Sequence, residues 1–68
     1  MNYEIYKAYQ DKKVCVGIPH WFNDTKLFFE IGNAIEVTNE HMILQTPNGI
    51  RKIPLSDIMQ ITLYREGA

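Results

Sequence analysis

Three side chains in the sequence could take part in nucleophilic or metal chemistry: Cys15, His20 and His41. A thiolate beside a histidine base makes a reactive pair, but neither histidine stands in a catalytic motif. A cysteine within a β-branched run is usually a buried thiol. With Asp24 added, the spacing of these residues matches no structural zinc pattern. We therefore predict a protein that is not an enzyme and that carries no metal and no other cofactor.

An aromatic segment at residues 19–24, Pro-His-Trp-Phe-Asn-Asp, is the strongest local indication of a binding site. It lies between two runs that are predicted to be structured. Tryptophan and histidine side chains exposed on a loop often anchor a protein partner. The alternative is that Trp21 and Phe22 fill the core of a domain that has few other large side chains. The residues predicted to bind a partner are His20, Trp21 and Phe22.

Tyrosines and basic residues define a second predicted site, for nucleic acid. Aromatic side chains on a β-surface can stack on nucleobases when lysine or arginine lies nearby. The residues that could form such a surface are Tyr6, Lys12, Lys13, Arg51 and Lys52. Both basic pairs stand at or beside predicted hairpin turns, where such residues usually face solvent or protect a sheet edge. Nucleic-acid binding is therefore the alternative prediction.

Residues 34–64 show the clearest strand pattern in the chain. Their apolar and polar side chains alternate, and Asn48-Gly49 predicts a two-residue hairpin turn. In that register Leu44 lies opposite Ile53, whereas a three-residue turn would place it opposite Lys52 and mix the two faces. One face of the predicted sheet then carries Ile35, Val37, Met42, Leu44, Ile53 and Leu55.

The flanking segments complete the predicted sheet. Residues 3–10 alternate as a strand, and a charged turn leads from them to a second strand at residues 14–18. Near the other end, Ser56-Asp57 predicts a single helical turn that redirects the chain into a closing strand at residues 61–64. These segments favour a mainly β domain: a bent antiparallel sheet or partly open barrel of about five or six strands.

Residues 19–33 fit two interpretations. A polar cap at residues 23–24 and a glycine stop at residue 32 favour one short helix near residues 21–31. The strand interpretation alternates Leu27, Phe29 and Ile31 with Lys26, Phe28 and Glu30. The two are balanced, so an α+β domain is the alternative fold class.

The composition limits the function further. The 68 residues make one domain, and a chain this short buries only about 60% of its unfolded surface, which favours self-association. A formal net charge of −1 gives no bulk attraction to nucleic acid or membranes. A single cysteine fits a reducing, cytoplasmic compartment. We see no apolar run of membrane-spanning length and no signal-peptide pattern.

Residues 35–44, the Asn48-Gly49 turn and the Ile-Pro-Leu-Ser-Asp-Ile run at residues 53–58 resemble two families of small β domains. One comprises the Sm-like barrels, including the YolD-like proteins of bacteria and their mobile elements, in which subunits often form rings. The other comprises bacterial pleckstrin-homology-like domains. The predicted first strand stands where Sm-like proteins commonly have a helix. No residue matches the RNA-contacting signature of the Sm-like chaperones, so the resemblance implies no site.

The predicted function is that of a non-catalytic binding module that docks on another protein and forms a homo-oligomer. The size and charge resemble those of the small accessory and inhibitor proteins of phages and plasmids, including inhibitors of host defence. One alternative is an Sm-like nucleic-acid-binding regulator. Another is a sponge for small ligands, with aromatic pockets between subunits.

Overall fold

The computed structural model describes residues 3–20 and 25–65. In chain order its elements are helix α1 (Tyr3–Lys7), strand β1 (Lys13–Pro19), strand β2 (Leu27–Val37), strand β3 (His41–Thr46), strand β4 (Gly49–Pro54), a 3-10 turn (Leu55–Asp57) and strand β5 (Gln60–Leu63). The five strands form one antiparallel sheet in the order β4-β3-β2-β1-β5. The prediction of a mainly β domain is therefore confirmed.

One face of the sheet forms an apolar core. Its buried members among the described residues are Val14, Val16, Ala34, Val37, Met42, Leu44, Ile53, Leu55 and Ile58. None of these is aromatic, and Tyr3, Tyr6 and Tyr9 are only partly buried where they pack against the core. The largest fully buried side chains include Met42 and Leu44. Because the core is small, each of these side chains carries a large share of the stability.

The N-terminal segment is a helix followed by turns, so the strand predicted for residues 3–10 is wrong. Tyr3, Tyr6 and Tyr9 recur every third residue and all pack against the core. Side chains at that spacing share a face of a helix, whereas in a strand they would alternate between faces.

Three hydrogen bonds fix this segment to β2, one of them from the Ala34 N–H to the Lys12 carbonyl oxygen over 2.9 Å. The Asp11 N–H donates to the Ala34 carbonyl oxygen over 2.6 Å, and Asp11 has a left-handed backbone with φ 69°. The Gln10 side-chain oxygen accepts from the Val37 N–H over 3.0 Å. The segment therefore lies against the sheet without adding a strand to it.

The strand interpretation of the ambiguous region is the correct one where the structure describes it. Residues 27–31 belong to β2 and pair with β1. The short helix expected near residues 21–31 is therefore wrong for that part, and residues 21–24 lie outside the described residues. Extended backbone suits this stretch because Phe and Ile fit a pleated surface well.

A β-bulge within β2 changes the predicted face of one isoleucine. The β2–β3 register shifts between Ala34 and Glu36, so Ile35 is the extra residue. Ala34 and Val37 both face the core, and Ile35 is 42% exposed. The prediction that Ile35 lies on the core face is therefore wrong, because simple alternation does not reveal a bulge.

The β3–β4 hairpin has a different register from the predicted one. Leu44 pairs with Arg51 and Met42 pairs with Ile53, whereas Leu44 opposite Ile53 was expected. The slip amounts to two residues, which leaves every side chain on its expected face because faces alternate with period two. Met42, Leu44 and Ile53 are accordingly all buried.

The turn explains the slip. Thr46 pairs with Gly49, so the connecting residues are Pro47 and Asn48. The Thr46 hydroxyl donates to the Gly49 carbonyl oxygen over 2.9 Å and accepts from the Asn48 N–H over 3.1 Å. Gly49 adopts φ 120°, which glycine tolerates best.

The 3-10 turn at Leu55–Asp57 then redirects the chain into β5, as predicted.

Candidate functional site

The predicted docking segment begins where β1 ends. The His20 N–H donates to the Lys26 carbonyl oxygen over 3.0 Å, immediately beyond the Pro19–Leu27 pair of the β1–β2 ladder. His20 is half-buried. Trp21 and Phe22, the other two predicted partner-binding residues, lie outside the described residues. The segment therefore belongs to the connection between β1 and β2.

A pocket of about 350 Å³ adjoins His20, and we call it the end pocket. It is lined by Ile18, Pro19, His20, Phe28 and Arg51. Ile18 and Phe28 pair directly in the β1–β2 ladder, two residues along from the pair formed by Val16 and Glu30. The end pocket therefore continues the core face past its buried part, and Phe28 remains 44% exposed there.

An ion pair supports one wall of the end pocket. Arg51 Nη1 lies 3.0 Å from Glu30 Oε1, and the Glu30 side chain is only 11% exposed whereas that of Arg51 is 47% exposed. Glu30 shares the core face of β2, where an unpaired carboxylate would be costly to bury. Arg51 compensates that charge and remains accessible at the pocket.

The first half of β2 displays further apolar side chains. Phe29 is 51% exposed and Ile31 is 38% exposed, both on the face opposite the core. Phe29 lies over Gly17, because a Cβ added at Gly17 would meet the Phe29 ring at 3.0 Å. A groove of about 660 Å³ runs beside this stretch toward Pro47 and Asn48. The sequence pattern contained these residues, but it did not show that they would be exposed.

The residues of the predicted nucleic-acid site do not form one surface. Lys12 Nζ donates to the Ala8 carbonyl oxygen over 3.1 Å, and Lys13 Nζ lies 5.1 Å from the centre of the Tyr64 ring. Arg51 contacts Glu30, and Tyr6 packs against the core. Lys52 is exposed on the face opposite Arg51.

The residues that could act in nucleophilic or metal chemistry occupy separate parts of the sheet. Cys15 lies between Ile31 and Thr62 on the outer face of β1; it is in a strand, as expected for a buried thiol, but it is only half-buried. His41 pairs with Pro54 at the far end of β3. Within residues 3–20 and 25–65, no three His, Cys, Asp or Glu side chains form a group that could hold a metal ion.

A comparison of the chain with family models, characterised proteins and solved structures finds no match. In the part of the chain that the structure describes, no helix is long and apolar enough to span a membrane. The resemblance to Sm-like or pleckstrin-homology-like domains therefore stays a prediction, and the case for a function rests on the geometry of the end pocket and of β2.

Proposed function

We propose that the protein is a non-catalytic binding module that docks on a protein partner through the end pocket. The observation that carries this proposal is that the end pocket combines apolar side chains with an accessible guanidinium group. Ile18, Phe28 and the half-exposed Arg51 line the pocket beside His20. Aromatic and arginine side chains dominate the energetic centres of protein interfaces. Trp21 and Phe22, which follow His20 in the sequence, are proposed to contact the same partner.

The pocket favours a partner that inserts an apolar side chain next to a hydrogen-bond acceptor. A guanidinium has five N–H donors, and the Glu30 contact engages Nη1. The remaining donors can reach a carboxylate or a backbone carbonyl of the partner. Because Arg51 is already compensated by Glu30, the attraction should depend mainly on apolar burial, with little sensitivity to salt.

The experiment compares two adjacent phenylalanines. Photo-crosslinking in the source cells identifies the partner, which is then purified and titrated calorimetrically. We expect Phe28→Ala to weaken binding about 10-fold or more, as hot-spot truncations do. Phe29→Ala is the matched control, because Phe29 has similar exposure but faces away from the end pocket. Equal losses for the two variants would contradict docking through this pocket.

Two separate measurements, a titration with nucleic acid at varied salt and ion-exchange chromatography, test the two alternatives. Nucleic-acid binding predicts a steep loss of affinity with salt and with the double substitution of Arg51 and Lys52 to glutamate. A ligand sponge predicts absorbing material that remains with the protein through ion exchange. A role as an accessory or inhibitor protein of a mobile element belongs to the main proposal, and the identity of the partner tests it.

A further inference from the structure

Only the second half of β2 is paired on both sides within the described part of the chain. Strand β1 pairs with β2 from Leu27 to Asn33. Strand β3 pairs with β2 from Asn33 onward and turns away at Pro47. Residues 27–31 therefore have one edge that no described strand covers. An uncovered edge is a template for a further strand.

The backbone direction along this edge follows from two hydrogen bonds. The Met59 N–H donates to the Gly17 carbonyl oxygen over 2.8 Å, so Gly17 directs its backbone polar groups toward the chain leading into β5. The Tyr64 N–H donates likewise to the Lys13 oxygen over 2.9 Å. In an antiparallel ladder the residues opposite such positions point away from that strand. Phe29, which pairs with Gly17, therefore directs its N–H and C=O to the uncovered edge.

The same alternation gives the full pattern of the edge. Leu27 and Ile31 lie two residues on either side of Phe29 and point the same way. The described chain shows no hydrogen-bond partner for the backbone groups of these three residues on that side. Beyond Ile31 the edge is already occupied, since Asn33 pairs with Gln45.

We propose that this edge pairs with the same edge of a second copy of the chain, antiparallel and about a two-fold axis at Phe29. Phe29 is the midpoint of the uncovered stretch, so the axis brings Leu27 opposite Ile31 of the second copy. Each of these pairs exchanges two N–H···O=C bonds, since all three residues point outward. This interface is independent of docking through the end pocket.

The outer face of this edge is self-complementary under the two-fold symmetry. On the outer face Leu27, Phe29 and Ile31 meet their counterparts as one apolar row, which suits a self-complementary interface. On the other face Lys26 lies diagonal to Glu30 of the second copy, within reach of long side chains. Phe28 lies directly opposite Glu30 of the second copy, and the two Glu30 side chains are diagonal to each other, each neutralised by Arg51 of its own chain.

The free space beside the edge and the apolar area that the interface would bury indicate how stable the dimer should be. The groove of about 660 Å³ beside Phe29 and Ile31 leaves room for a strand, and the turn at Pro47 and Asn48 limits how far it can slide. The exposed parts of Phe29 and Ile31 supply roughly 170 Å² of apolar surface per copy. Permanent interfaces bury about 800 Å² per partner. We therefore expect a reversible, concentration-dependent dimer.

Light-scattering mass measured from about 5 to about 500 µM tests the proposal, because dimer formation follows mass action. Wild type should rise from monomer to dimer mass. Phe29→Glu and Phe29→Lys should each stay monomeric at the top concentration, because the axis places like charges face to face. An equimolar mixture of the two should regain dimer mass, since glutamate then faces lysine. Recovery in the mixture also shows that both variants are folded.

Ile50→Glu is the control, because it introduces the same charge at an isoleucine that is 58% exposed on β4. It should leave the dimer unchanged. Three results would overturn the proposal: a monomer at every wild-type concentration, an oligomer lost in Ile50→Glu but kept in Phe29→Glu, or no recovery in the mixture. If wild type stays monomeric at every concentration, the uncovered edge could instead pair with a strand of another protein. All arms use the purified chain alone, so they are separate from the test of docking.

Discussion

Gly32 allows β2 and β3 to approach more closely than any side chain would permit. A Cβ built there would overlap the Gln45 carbonyl oxygen, and it would lie 2.9 Å from the Gln45 carbonyl carbon and 3.2 Å from Leu44 Cγ. The oxygen belongs to the backbone, so it cannot rotate away as a side chain would. Gly32→Ala should therefore force the two strands apart by roughly 0.5 Å or more.

The loss of stability follows from the hydrogen bonds of the adjacent residue pair in the β2–β3 ladder. Lengthening the bonds of the Asn33–Gln45 pair by about 0.5 Å takes them past the useful range of about 3.2 Å. Two such bonds contribute about 0.5–1.5 kcal/mol each, so Gly32→Ala should cost about 1–3 kcal/mol. A 68-residue domain has only about 3–10 kcal/mol in total. The melting temperature should fall by about 5–20 °C.

Urea unfolding followed by circular dichroism measures this difference, with all variants at one protein concentration. The matched variant is Gly17→Ala, whose added Cβ would meet only side-chain atoms, Phe29 Cε1 at 3.0 Å and Leu27 Cδ1 at 3.3 Å among them. Those side chains can move, so we expect a loss below about 1 kcal/mol. A Gly32→Ala midpoint equal to wild type, or equal losses for the two variants, would refute the argument.

Three further substitutions test the packing and polar contacts. Leu44→Ala should lower the free energy of unfolding by about 2–5 kcal/mol in urea titrations, because Leu44 is fully buried. Gln10→Ala should cost about 1–3 kcal/mol and speed amide hydrogen exchange at Val37, whose N–H loses its acceptor. Arg51→Ala should lower the free energy of unfolding by about 1–3 kcal/mol in the same urea titrations, because it leaves the Glu30 carboxylate, only 11% exposed, without its partner; a loss below about 1 kcal/mol would show that Glu30 does not depend on Arg51.

Alternating side chains were enough to predict the mainly β fold and most of the core face. They predicted the correct faces of Met42, Leu44 and Ile53, since any even slip preserves alternation. They could not distinguish the turn at Pro47-Asn48 from the one expected a residue later. That choice depends on the Thr46 hydroxyl contacts, which a pattern of apolar residues does not contain.

Features that depend on tertiary contacts were not predictable in this way. The N-terminal tyrosines suited a strand, but Tyr3 and Tyr6 lie on a helix, Tyr9 lies in the turn that follows it, and all three pack against the core. The bulge at Ile35 follows from the pairing of Ala34 and Val37 with β3. The exposure of Phe28 and Phe29 has a similar origin, because β3 pairs with β2 only from Asn33 onward among the described residues.

The strand order has a consequence for how the chain folds. Strands β1 to β4 join neighbours in sequence, so each pairing closes a short loop. Pairing of β5 with β1 instead joins Val14 to Leu63 across most of the chain. Closing a long loop costs more entropy and slows folding, so β5 should dock after the other strands have formed. Because β5 docks last, we also expect it to detach first. Local unfolding of the native sheet should therefore begin where β5 pairs with β1.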